Sequence, residues 1–180
     1  MRGFTLVELM ISIMIFSIII SVGVPSFLNM QDRFSTDFAK GRMQKTLLAA
    51  RAWALANRKP IIVCPMLDGI CSSSWNDPLT TFYDLNDNLA LDNDEQLIFQ
   101  LPEHSPRGSW SKKRANENYI KFNEQGHAFS SATTLLYCPS SGNHQNARQL
   151  VISFQGRIRS NNYLSSRGTP YASLAPLQCQ

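Results

Sequence analysis

An apolar run from Phe4 to Leu28 constrains this chain more than any other feature. Between Leu9 and Val24 only Ser12, Ser17, Ser21 and Gly23 interrupt it. Its 25 residues would span roughly 37 Å as a helix, at about 1.5 Å per residue, enough for a hydrocarbon core of about 30 Å. The run holds one carboxylate, Glu8. A carboxylate at a helix centre costs about 2.5–3.5 kcal/mol on insertion scales. Near the end of a span it costs less, yet a plain signal or anchor has no use for it. Ser21-Val22-Gly23 offers a signal-type cleavage site, but Glu8 argues against that reading. The mean hydropathy of −0.18 excludes a multi-span membrane protein. The hydrophobic content of 43% excludes a disordered chain, and 180 residues suit one head domain beyond the run.

Gly23-Val24-Pro25 should weaken the helix locally, because proline removes a backbone donor and crowds the preceding turn. Beyond it, Phe27, Met30, Phe34, Phe38, Leu48, Ala52 and Leu55 share one arc at about 100° per residue. Arg33, Lys40, Arg42 and Lys45 leave the other faces polar. The pattern predicts an amphipathic helix to about Asn57, stopped by Pro60; the arc could form a coiled coil, but packing on a sheet is favoured, since strands follow. Downstream, Ile61–Val63, Thr80–Tyr83, Gln96–Gln100, Tyr119–Phe122, Thr133–Cys138 and Gln149–Phe154 read as strands separated by turn residues. The polar stretch from His104 to Asn118 reads as a loop.

The string Gly3-Phe4-Thr5-Leu6-Val7-Glu8-Leu9, running directly into the apolar segment, resembles the processing site of type IV prepilins and type II secretion pseudopilins. The resemblance implies that a prepilin peptidase removes a basic leader after Gly3 and that Phe4 becomes an N-methylated terminus. Glu8 matches the glutamate that pilins keep four residues after the new terminus. Its carboxylate can pair with the Phe4 amine of a neighbouring subunit, which offsets burying either charge alone and sets register. The implied partners are major and minor pilins, the prepilin peptidase and an inner-membrane assembly platform. The implied location is the bacterial inner membrane, single-pass with a periplasmic C-terminal domain, then a filament or its tip at the cell surface.

A narrower resemblance lies further along. Ile61-Ile62-Val63-Cys64-Pro65, Asp68-Gly69, Cys71, Trp75, Phe82 to Asn88 and Gly156-Arg157-Ile158-Arg159 are similar to the GspH/FimT pseudopilin family. One departure is Leu89, where members tend to have glycine. The resemblance implies an α+β pilin-like fold, with a long N-terminal helix packed on a small antiparallel β-sandwich. Its divisions are residues 1–3 (leader), 4–28 (transmembrane and filament-core helix), 29–59 (amphipathic helix packed on the ectodomain) and 60–180 (β-rich head). It implies a minor subunit that primes or caps a filament. A minor pseudopilin of type II secretion, contacting secreted proteins or tip subunits, shares the processing site and stays open as the alternative.

In an oxidising periplasm the four cysteines pair, and three connectivities exist. The expected pairs are Cys64–Cys71, closing a short loop, and Cys138–Cys179, tying down the tail. Zinc is disfavoured, because no paired CxxC knuckles occur.

Charge is strongly segregated. Residues 1–59 hold eight Lys/Arg and three Asp/Glu, residues 60–103 none and eight, and residues 104–180 nine and two. The acidic block contains Asp84, Asn86, Asn88, Asp92 and Glu95 at positions 1, 3, 5, 9 and 12 of an EF-hand-like calcium loop. Leu89 stands at the glycine position and no helices flank the loop, so a polar hairpin turn is the competing reading. The basic block contains Lys112, Lys113, Arg114, Arg148, Arg157, Arg159 and Arg167, with no carboxylate from Gln125 to Gln180. In FimT-like subunits a Gly-Arg-x-Arg stretch is associated with capture of DNA, and Gly156 to Arg159 match it. These residues are the candidate contacts for double-stranded DNA. A solvated face, or a patch meeting a neighbouring subunit's acidic segment, is the competing reading. In a strand, Arg157 and Arg159 would point to one face. No P-loop, nucleophile elbow, dinucleotide fingerprint or HExxH motif occurs around His104, His127 and His144. The expectation is no enzyme and no cofactor.

Overall fold

The computed structural model describes residues 5–102, 107–113, 117–128, 132–142 and 146–162, with Lys113, Asn161 and Asn162 described in their backbone only. Gly3, Phe4, Arg114, Arg167 and Cys179 lie outside the described residues, as do His104 and His144.

Helix α1 spans Leu6–Asn57, 52 residues. Thr5 caps it in extended geometry, and its hydroxyl accepts the Glu8 amide at 3.3 Å. Thr5-Leu6-Val7-Glu8 therefore has the spacing of a capping box, so the string that resembles a processing signal also starts the helix. Pro25 lies inside α1. It cannot donate to the Ser21 carbonyl one turn back, yet the helix continues through it. At the other end Arg58 turns left-handed at φ 51°, and Pro60 follows.

The covered face of α1 is not the expected one. Its buried residues are Thr36, Ala39, Met43, Thr46, Leu47, Ala50 and Ala54. The predicted arc lies about 180° away around the helix. Phe34 and Phe38 are each 69% exposed, Phe27 58%, and Met30, Leu48, Ala52 and Leu55 are exposed too. Both faces carry apolar residues. The covered one is built mainly from small side chains, which let the helix backbone approach the sheets closely, while the bulky residues project away.

The remaining elements are β1 (Ile61–Leu67), β2 (Ile70–Cys71), β3 (Leu79–Tyr83), β4 (Leu97–Leu101), β5 (Gly108–Lys113), β6 (Ile120–Phe122), β7 (Thr133–Pro139), β8 (Arg148–Ile152) and β9 (Ile158–Asn162). One sheet has the order β2-β1-β3-β4, with β6 also on β1; the other has the order β5-β7-β8-β9. All these pairings are antiparallel. The fold is a long helix packed on antiparallel sheets, as expected. One core cluster joins Met43, Leu47, Ala50 and Ala54 of α1 to Ile61 and Val63 of the first sheet and Leu135 and Leu150 of the second.

Three strand expectations change. The segment 104–118 contains β5, held by Trp110, which is buried and meets Tyr137 edge-on at 5.2 Å between ring centroids. β8 stops at Ile152, because residues 153–156 form a turn. Ile158–Asn162 forms β9, which ends the second sheet's order among the described residues.

Candidate functional site

The acidic loop between β3 and β4 gathers all five calcium-candidate residues, and engages them with one another and with backbone. Asp84 is fully buried, and its two carboxylate oxygens accept the amides of Asn88 and Leu89, each at 3.2 Å. Glu95 accepts the Leu85 amide at 2.7 Å. Asp92 accepts the side-chain amides of Asn86 and Asn88, both at 2.8 Å. The arrangement is a hydrogen-bonded loop closing over Ile62, Cys64, Met66 and Phe82, with Leu89 and Leu91 packed beneath it. Among the described residues, no cluster of three or more His, Cys, Asp or Glu is arranged to hold a metal ion. The Cys64–Cys71 disulfide joins β1 to β2 with the Cα atoms 5.6 Å apart. Cys138 is disulfide-bonded as well.

The basic block divides into tied and exposed residues. Arg148, on β8, is largely buried, with its Nε 3.0 Å from the Asp37 carboxylate on α1. Lys112, on β5, donates to the carbonyls of Glu117 and Tyr119 and lies 5.9 Å above the Trp75 ring. Burial pushes its pKa down to about 8, against the opposing pull of Glu117. Both side chains, candidates for DNA contact in the sequence, are engaged by groups of the protein itself. Arg157 and Arg159 are exposed. Arg159 lies on β9 opposite Val151, and the partly buried Ile158 beside it packs against the core, so period-2 geometry turns Arg159 to the opposite face; Arg157 precedes the strand, which begins at Ile158.

Gly156 has a structural reason to be glycine. Its φ is +71°, and a Cβ there would overlap the Gly126 carbonyl oxygen. The two glycines sit in adjoining turns, and Arg51 of α1 bridges them: Nε donates to the Gly126 carbonyl at 3.0 Å and Nη2 to the Gln155 carbonyl at 3.2 Å. Sequence reasoning missed Arg51. The only hint was the dipeptide Gln-Gly, which occurs at 125–126 and again at 155–156.

A helix long and apolar enough to cross a membrane, capped at its processing-type motif and packed on antiparallel sheets, defines a membrane-anchored pilin-type subunit. A family profile described as "Type II transport protein GspH" matches residues 41–156, and one described as "Prokaryotic N-terminal methylation motif" matches residues 1–24. The chain belongs to the GspH family of minor pilins and pseudopilins. It is similar in fold to the type IV minor pilin FimU of Pseudomonas aeruginosa, with a TM-score of 0.59 and 19% identity over 73% of this chain and 92% of that one. The minor pseudopilin EpsH of the type 2 secretion system of Vibrio cholerae gives a TM-score of 0.50 and 14% identity, over 71% and 96%. No curated protein sequence matches the chain.

Proposed function

We propose that this protein is a minor pilin of a type IV pilus that primes or caps filament assembly and contacts double-stranded DNA through its basic loop. In this reading a prepilin peptidase removes residues 1–3 and Phe4 is methylated. Residues 4–28 rest in the inner membrane before entering the filament core, and residues 29–59 carry the periplasmic head of residues 60–180. The bare apolar arc of α1 carries the assembly reading. Phe27, Phe34 and Phe38 continue the exposed surface of the segment from Leu6 to Val24, and apolar surface of that extent is stabilised by cover. Helices of other pilins supply it, and the Glu8 carboxylate pairs with the terminal amine of a neighbour.

Glu8→Ala tests the assembly reading. Cleavage should proceed while the variant stays out of filaments; normal incorporation would sink the charge-pairing account. The DNA contact rests on the exposed pair Arg157 and Arg159. Full-length protein in non-ionic detergent should bind labelled duplex with an affinity that falls with salt and is lost when both arginines become alanine. Unchanged affinity in that variant would remove the assigned site. Peptide mapping without reductant should find Cys138 joined to Cys179.

The family description favours a second reading, a minor pseudopilin of type II secretion that binds no DNA. Deleting the gene in the native bacterium separates the two. Lost piliation supports the pilus reading, whereas lost secretion with pili intact selects the other.

A further inference from the structure

We infer that Arg51 is a positioning residue for Arg157, and that a locked pair of turns, rather than a free hairpin, presents the basic loop. The inference rests on the DNA contact proposed above.

Two turns of matching chemistry lie side by side. Asn123-Glu124-Gln125-Gly126 follows β6, and Ser153-Phe154-Gln155-Gly156 follows β8. In each, the glycine amide donates to the carbonyl of the first residue at 2.8 Å. In each, the first side chain accepts the amide four residues on: Asn123 Oδ1 from His127 at 2.8 Å, Ser153 Oγ from Arg157 at 3.2 Å. The glycines share left-handed backbone, with φ of 69° and 71°. Arg157 and His127 therefore occupy equivalent places, each fixed through its own backbone. The Ser153 amide also donates to the Arg157 carbonyl, at 3.0 Å.

The turns also bind each other. The Ala128 amide donates to the Phe154 carbonyl at 2.9 Å, and the absence of a side chain on Gly156 lets its turn touch the Gly126 carbonyl. Arg51 then takes one carbonyl from each turn in a single guanidinium fork. A planar fork fixes the spacing of its two acceptors, which a lysine ammonium on a flexible stem does not. Since α1 is the anchored element, Arg51 ties the orientation of Arg157 to the helix itself.

The test uses full-length protein in non-ionic detergent, a labelled DNA duplex and a salt series. Arg51→Ala removes both hydrogen bonds and should weaken binding at least about tenfold, the scale of losing one charge-assisted bond. The slope of log affinity against log salt should not change, because every phosphate that was neutralised still is. Arg157→Ala alone should flatten that slope by about 0.9, the share of one phosphate no longer neutralised, and replacing Arg157 and Arg159 together should abolish binding. Arg51→Lys keeps the charge without the fork and should behave like Arg51→Ala. It also serves as the test should the alanine variant fail to fold. Amide exchange across residues 153–157 should speed up in both Arg51 variants. Parental affinity in the Arg51 variants, with binding abolished in the double-arginine variant, would overturn the inference. So would a flattened slope in the Arg51 variants, which would make Arg51 a direct phosphate ligand. Parental affinity in the double-arginine variant would instead sink the DNA reading, and Arg51 would have no site to position.

Discussion

Arg148 Nε lies 3.0 Å from the Asp37 carboxylate, joining β8 to α1 across 111 residues. Lys40, one helical turn on, approaches the same oxygen at 3.3 Å. A residue that reads as a DNA contact in sequence is thus part of the joint between helix and head.

That joint has a pH signature. Burial alone would raise the Asp37 pKa, but the hydrogen bond and charge of Arg148, with help from Lys40, hold it below the usual carboxylate value. A carboxyl group depressed in the folded state stabilises the fold above its unfolded pKa, and that stabilisation is lost as pH falls through the folded one. Asp37→Asn should therefore lower Tm at neutral pH, and the gap to the parent should close below about pH 4. A gap that persists into acid would show that the charge is not its cause. Arg148→Ala should lower Tm while leaving DNA affinity near the parental value.

Lys112 has its signature at the alkaline end. Its pKa stands at about 8 against an ordinary 10.5, with burial the main cause. Between those values the unfolded chain binds more protons than the folded one, so stability rises with pH. Relative to Lys112→Met, the parent should gain stability as pH climbs from about 8 to 10.5, read from urea midpoints. A flat difference would mean that burial does not penalise the ammonium.

Leu89 holds left-handed backbone at φ 63° and packs against the Ile62, Cys64, Met66 and Phe82 cluster. This explains why glycine suits the position. Leu89→Ala loses the packing and keeps the strain; Leu89→Gly loses the packing and removes it. The glycine variant should be the more stable of the two by about 1 kcal/mol. Equal stabilities would show that the backbone is unstrained there.

Gly156 and Gly69 separate conformational strain from collision. Both have positive φ, but a Cβ at Gly69 meets nothing within 4 Å, whereas one at Gly156 overlaps the Gly126 carbonyl. Gly69→Ala should cost about 1 kcal/mol. Gly156→Ala should cost more than about 2 kcal/mol, because the collision is added to the strain. Similar losses at both sites would mean that the two turns can part without penalty.

Much of this protein is legible in local pattern. The length of the apolar run, the Thr5 and Glu8 spacing that caps the helix, and the stop at Pro60 depend on neighbouring residues alone. So do the runs of β-branched and aromatic residues that mark β1, β3 and β7 and the short loop that pairs Cys64 with Cys71. Each is a property of a few consecutive side chains and the backbone they sit on, and the elements they define start and stop within a few residues of where the pattern puts them.

Tertiary structure decided what depends on apposition. A helix with two apolar faces does not say which will be covered. The small residues Ala39, Ala50 and Ala54 won that place because they allow the closer approach, and the phenylalanines were left outside. Nor does a count of arginines say which are free. Arg148 is held by a carboxylate 111 positions away, and Arg51 holds two carbonyls from separate turns. Arg157 and Arg159 stand exposed at the start of β9. Charge and hydrophobicity belong to the residue; burial and pairing belong to the contact, and contacts between distant segments exist only once the chain has closed.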